Sequence, residues 1–200
     1  MSVSLTFSIA FHGPFRVATG QAKPGVDASV DLANPLPATA LKGLARHSAR
    51  VQLGLPTQLV DAVFGTASQP SSWSWGDAEF PHGALLNSIQ AQVRIDPVTG
   101  TADAAERALM FGEQLWCRPG VVATVEVDCM TALSPDDLDD QATIIVGAFC
   151  SVHSLGSSRR RGLGRVTVRL DKAVGPGTER SLGRDWANHV ARSLAARTVQ

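Results

Sequence analysis

The sequence predicts an α+β domain of the ferredoxin-like, RRM-like class with extra pieces inserted in its middle, and three observations carry that prediction. Strand-type and helix-type apolar periods follow one another in the coarse order β, α, β, β, α, β. An apolar share of 44% over 200 residues is enough for a sizeable core. No internal repeat or break in composition divides the chain, so one domain is expected over residues 1–200, with its core at about residues 3–170 and a linker and helix over residues 171–200.

Val3, Leu5, Phe7, Ile9 and Phe11 alternate with Ser4, Thr6, Ser8 and Ala10, which is the pattern of a half-buried strand. His12-Gly13-Pro14 breaks it, and Phe15-Arg16-Val17-Ala18 reads as its continuation past a bulge. Thr19 to Pro37 has no period and reads as a long loop, a length at which loops are usually functional or disordered. Thr39 is placed to cap a helix running to about Leu53, with Leu41, Leu44 and Ala45 on one face and Lys42, Arg46 and Arg50 on another. Thr57 is placed to cap a shorter helix through Leu59, Val60, Val63 and Phe64, stopped by Gly65.

Trp73-Ser74-Trp75 and Ala78-Glu79-Phe80 are strand-like pieces around Gly76-Asp77. Ile89, Ala91, Val93 and Ile95 alternate with Gln90, Gln92 and Arg94, which predicts a strand with the apolar set inward, ending in the turn Asp96-Pro97-Val98-Thr99-Gly100. Leu109 to Trp116 reads as extended, and Val121, Ala123, Val125, Val127 and Cys129 make a further alternating strand. Ser134-Pro135-Asp136-Asp137 opens a helix with an N-cap serine, a proline at the first helical position and acids at the positive end of the dipole; it should run to about Val152. A strand at Val166 to Leu170 closes the unit, and Asp185 is placed to cap a last amphipathic helix carrying Trp186, Val190 and Leu194.

Composition excludes several classes. No run of about 18 apolar residues is present, and the first eleven residues alternate instead of forming the apolar block of a signal peptide, so a cytoplasmic protein with no membrane partner is expected. Cys117, Cys129 and Cys150 are odd in number and far apart, which suggests neither a zinc site nor a disulfide framework and leaves buried thiols. His12, His82, His153 and His189 show no metal-ligand spacing. The formal net charge of zero argues against indiscriminate nucleic-acid binding, but the charges are segregated. Six acids and no bases lie between Glu126 and Asp140, and five arginines and no acids lie between Gly156 and Leu170.

The basic stretch is GSSRRRGLGR, Gly156 to Arg165. Glycine admits close approach of the backbone to a ligand, and the arginine fork matches phosphate oxygens, so an anionic polymer is the expected guest. A solvated basic loop whose glycines serve only the turn is the plainer reading of the same residues.

Four motifs, in order, resemble those of the RAMP superfamily. Pro37-Ala38-Thr39-Ala40-Leu41-Lys42-Gly43-Leu44-Ala45-Arg46 resembles its P-x-S-S-L-K-G-x-x-R segment, and Phe64-Gly65 with Gly76-Asp77-Ala78 resembles its F-G and D-A pair. Arg94 to Ala102 resembles its R-x-x-I-D-R-x-T-G-x-A segment, with Pro97 in place of a basic residue, and Gly156 to Arg165 resembles its glycine-rich loop. The likeness runs from about Leu5 to Leu170 and is strongest to the backbone subunit of type III CRISPR effector complexes.

That resemblance implies a RAMP fold, a role in antiviral defence, and as partners guide RNA, target RNA, further copies of the chain and other CRISPR effector subunits. It implies phosphate contacts that do not read sequence, for which Lys42, Arg46, Arg159, Arg160, Arg161 and Arg165 are the candidates. The family's thumb-like hairpin falls by position at Thr101 to Met110, with Leu109 or Met110 as its wedge, although core packing is an equally good reading of both. Val26-Asp27-Ala28-Ser29-Val30 resembles the family's I-D-S-P-V stretch, which makes Asp27 the catalytic and metal-binding candidate for Mg²⁺-dependent endoribonuclease cleavage of the target, with Asp31 as a neighbour able to substitute. A loop aspartate making local turn hydrogen bonds is the plainer reading of Asp27. Two alternatives stand beside this one: a non-catalytic structural subunit of the same complex, and a guide-processing endoribonuclease using His47 as general base.

Overall fold

Alternation in the first strand becomes the middle of a sheet. In the computed structural model, which describes residues 3–21, 23–93, 96, 98–101 and 109–174, the elements follow as β1 (Ser4–Phe11), α1 (Ala38–Val51), α2 (Thr57–Phe64), β2 (Trp73–Trp75), β3 (Leu85–Val93), β4 (Leu109–Cys117), β5 (Val122–Cys129), α3 (Pro135–Cys150) and β6 (Val166–Val174). Four strands pair antiparallel in the order β2-β5-β1-β6, and β3 and β4 pair separately as a hairpin. With α2 and the hairpin set aside, β1-α1-β2-β5-α3-β6 is the ferredoxin-like unit, so the α+β class read from the sequence is the class observed. The expected helix at Asp185, Trp186, Val190 and Leu194 lies outside the described residues, as do Arg94, Ile95, Pro97 and residues 102–108.

The core sits between one face of the four-stranded sheet and the helices. Leu5, Phe7 and Ile9 of β1 stand opposite Val127, Val125 and Ala123 of β5, and all six are buried. Against them pack Leu41, Ala45 and Ala49 of α1 and Ile145, Ala148 and Phe149 of α3. Phe149 meets both Phe7 and Trp75 edge-on, with ring centroids 5.0 and 5.2 Å apart, an arrangement worth roughly 0.5–1.5 kcal/mol beyond area burial. Asp171 is the extra residue of a bulge where β6 pairs with β1, and its carboxylate accepts a hydrogen bond from the Ser8 hydroxyl.

The two major helices begin by different means. Ser134 caps α3 as expected: its Oγ accepts from the Asp137 amide at 3.1 Å and donates to the Asp137 carboxylate at 2.6 Å. Thr39 does not cap α1, and Thr57 does not cap α2; the N-cap positions are Pro37 and Pro56, and both threonines lie within or at the first residue of their helices. Proline has no hydroxyl to offer, so α1 takes its cap from a distant residue. One Asp77 oxygen accepts the Ala38 amide at 2.7 Å while the other accepts the Asn34 side-chain amide at 2.8 Å.

Two further expectations are corrected. Phe15 does not continue β1 in the sheet; it leaves to pair with Leu115 of β4, each amide donating to the other's carbonyl. The apolar set on β3 does not point into a core, since Ile89 and Val93 are 59% and 44% exposed. The hairpin is joined to the body where the buried Leu115 of β4 pairs with the buried Phe15. Of the thiols, Cys129 is buried and Cys117 and Cys150 are half-buried; burial pushes both of the latter up, Cys150 to about 11.

Candidate nucleic-acid interface

One strand edge organises the candidate site. β3 occupies one side of β4, and a strand's other side presents amides and carbonyls that need partners. The segment between β1 and α1 supplies them. Phe15 pairs with Leu115, the Ala28 carbonyl accepts from the Glu113 amide at 2.9 Å, and the Phe111 carbonyl accepts from the Asp27 amide at 2.8 Å. Two side chains complete the edge: the Asp27 carboxylate accepts from the Phe111 amide at 2.7 Å, and the Arg16 Nε donates to the Glu113 carbonyl.

Asp27 is exposed, and its second bond reaches 84 residues along the chain instead of making a local turn. Asp31 is occupied differently, accepting from the amides of Ala33 and Asn34 at 2.9 and 3.3 Å in an Asx turn. Behind Asp27, Glu113 fastens the same loop. Its carboxylate accepts from the Val30 amide at 2.9 Å, from Lys23 Nζ at 3.1 Å and from Asn87 at 3.4 Å. The Val30 amide, chiefly, with Lys23 and Asn87, holds this carboxyl below the ordinary carboxylate range in spite of its burial.

The glycine-arginine loop closes over the other end of this arrangement. Backbone φ is positive at Gly156, Ser158, Gly162 and Gly164, and Arg159–Arg161 form a short 3-10 turn. Gly156 is required by contact as well as by conformation, because a Cβ there would strike the Arg16 carbonyl. That carbonyl accepts the Ser157 amide at 2.7 Å. Arg159, Arg161 and Arg165 are exposed, and Arg161 donates to the Gln92 side chain of β3 at 3.1 Å. Gln92 stands opposite Met110, so the loop touches the hairpin beside one of the wedge candidates. Leu109 and Met110 are both 50% exposed, which removes core packing as their role.

The remaining candidates are on α1. Lys42 is half-buried, and burial followed by the neighbouring Arg46 charge lowers its pKa. Arg46 is bonded to Asp61 of α2 at 2.6 Å, so part of its donor fork is engaged within the body. The structure thus joins Asp27, the hairpin and the glycine-arginine loop through direct contacts, whereas Lys42 and Arg46 form a separate basic step on α1. Among the described residues no group of three or more His, Cys, Asp or Glu is placed to hold a metal ion, and no helix is long and apolar enough to cross a membrane.

Arg16, Gly112 and Glu113 were not legible as site residues. Arg16 keeps 5% exposure, its burial lowers its pKa, and its Nη2 has no partner among the described residues. A Cβ at Gly112 would meet the Arg16 guanidinium, so the arginine head lies directly against this residue. A lone arginine between Phe15 and Val17, and a glutamate inside the apolar run from Leu109 to Trp116, were the signals available.

A family model described as the RAMP superfamily matches residues 11–167. No curated protein matches the chain. Among solved structures, a chain from the cryo-EM structure of type III-B Cmr-beta bound to cognate target RNA is 14% identical with a TM-score of 0.56, the match covering 86% of this chain and 60% of that one. A chain of type III-B Cmr-beta in the apo state is 11% identical with a TM-score of 0.60, covering 84% of this chain and 97% of that one. The present chain therefore spans less than two thirds of the first of these and nearly all of the second. At such identities the likeness is one of fold.

Proposed function

The chain belongs to the RAMP superfamily, and from that premise we propose that it is an RNA-binding backbone subunit of a type III CRISPR effector complex, holding guide RNA and cutting the paired target RNA with a metal ion. The observation that carries this reading is the position of Asp27, an exposed carboxylate fixed on the outer edge of the hairpin whose other strand meets the glycine-arginine loop. Arg159, Arg160, Arg161 and Arg165 provide phosphate contacts on that loop, and Lys42 and Arg46 extend them along α1. Such contacts fix register without reading sequence, which is left to base pairing. Leu109 and Met110 are apolar, exposed and at the far end of the described hairpin, where they are suited to wedge between bases.

Asp27 gives a metal one carboxylate. This fits Mg²⁺, which keeps waters and takes RNA phosphate oxygens as its other ligands, and does not fit a cage built wholly from protein. When bound, the ion supplies charge neutralisation at the scissile phosphate. The Phe111 amide orients the carboxylate, and Glu113 holds the loop that carries it.

A non-catalytic structural subunit is the second reading, favoured by the hydrogen bond that gives Asp27 a role in closing the strand edge. Two substitutions separate the readings. Asp27→Asn keeps an oxygen for the Phe111 amide while losing the charge that holds Mg²⁺; Asp27→Ala loses both. With labelled target annealed to the reconstituted guide complex, both variants should bind target and neither should cut it, whereas the wild type should cut in Mg²⁺ and stop with chelator. Cutting by Asp27→Asn at the wild-type rate would remove the catalytic assignment, and no cutting by the wild type would favour the structural subunit.

A further inference from the structure

Arg16 touches the glycine-arginine loop through its carbonyl and, through its side chain, the two residues of β4 on which the Asp27 loop is mounted. We propose that Arg16 is a positioning residue: seating RNA on the loop at Gly156–Arg165 sets, through Arg16, how the Asp27 loop lies along the hairpin.

The connection is made of contacts with few degrees of freedom. On one side, the Arg16 carbonyl accepts the Ser157 amide at 2.7 Å and the Ser157 hydroxyl at 3.3 Å, and Gly156 packs against it so closely that no side chain fits. On the other, the guanidinium lies against Gly112, and Nε donates to the Glu113 carbonyl. Gly112 and Glu113 are the residues on which the Asp27 loop is mounted. Ala28 bridges Gly112, the Glu113 amide donates to the Ala28 carbonyl, and the Glu113 carboxylate takes the Val30 amide. A shift of Ser157 must therefore move Arg16 or break its bonds, and a shift of the guanidinium must move the strand that holds Asp27.

An arginine is an expensive way to fill this space. A buried cation that, among the described residues, has no salt bridge to a carboxylate and leaves Nη2 unpartnered loses hydration that neutral methionine would not. What methionine cannot do is lie flat on Gly112 while donating to Glu113.

The effect on cleavage rests on the reading of Asp27 given above; the mechanical link does not. The first measurement is hydrogen exchange of the full chain with and without an unstructured single-stranded RNA. In the wild type, RNA should slow exchange in peptides covering residues 154–166 and also residues 23–30, whose amides at Asp27 and Val30 are bonded to β4. In Arg16→Met, RNA should slow exchange in residues 154–166 alone. The second measurement is single-turnover cleavage by the reconstituted complex, where Arg16→Met should lose about tenfold or more in rate at saturating target with the half-saturating target concentration unchanged, the signature of misplacement and not of lost binding. Arg16→Lys, which keeps the charge and stem, should recover part of both responses; if Arg16→Met does not fold, Arg16→Lys takes its place and should fall between wild type and complete uncoupling. The proposal is overturned if residues 23–30 of the wild type ignore RNA, or if they respond in the Arg16 variants as they do in the wild type. A wild type that cuts nothing would sink the catalytic reading and leave the exchange result to decide the link.

Discussion

The four-stranded sheet and the β3–β4 hairpin are written in the same alternating apolar code, and they finish in opposite surroundings. Leu5, Phe7 and Ile9 of β1 are fully buried, whereas Ile89, Val93 and Leu109 of the hairpin are about half exposed, at 59%, 44% and 50%. The difference comes from what lies against each face. α1 and α3 cover the sheet, whereas among the described residues the hairpin meets the rest of the chain along one edge of β4 and where Arg161 reaches Gln92 of β3. Period two specifies that a strand has an apolar face, and a distant part of the chain decides whether that face is a core or a surface for something else.

The comparison can be tested most severely in the body. Phe149→Ala removes the ring that joins Phe7 to Trp75 and should cost about 3–5 kcal/mol in denaturant unfolding. A loss below about 0.5 kcal/mol, the scale of a typical surface change, would mean that the sheet face is not the principal core.

A smaller, pH-dependent effect is expected where the hairpin edge meets the Asp27 loop. Because the Glu113 carboxyl is held below its ordinary value of 4.5, its contribution is complete above that pH and is lost as pH falls through the lowered value. Limited proteolysis within residues 23–30 should therefore accelerate as the wild type is acidified below 4.5. Glu113→Gln should already be cut faster at neutral pH and should change little on acidification. An acid response of the same steepness in that variant would assign the titration to another group.

The smallest effect belongs to the hairpin face. Ile89→Ala should change global stability by no more than about 0.5 kcal/mol, as expected for a surface position. A loss comparable to that of Phe149→Ala would show that the exposed face is folded against the body in solution, and the contrast between the two regions would collapse.

These regions also differ in how far the sequence exposed them. The β-α-β-β-α-β order, the Ser134 cap and the buried sets of β1 and β5 follow from local periods and from adjacent residues, and so were legible. The chain's departure at Phe15, the capping of α1 by Asp77 and the burial of Arg16 depend on partners 100, 39 and 97 residues away, which no period reports. Of the candidate site, the loop arginines and Asp27 were visible as residue types, and the edge of β4 that joins their surroundings was not. The F-G and D-A motifs acquire a plain physical reason as well: Gly65 stops α2, and Asp77 starts α1.

That last bond has a consequence for the order in which the chain folds. A helix with its own cap can form its first turn from residues already adjacent, as α3 does with Ser134. The first turn of α1 has a proline at the cap position and no acid within it, so its Ala38 amide has no local acceptor side chain and waits for Asp77, which follows β2 in the chain. The entropy of closing that 39-residue separation is offset most readily once β2, just before Asp77, has paired with β5. The helix carrying Lys42 and Arg46 is therefore expected to complete its first turn after α3 does, by a contact drawn from the edge of the sheet.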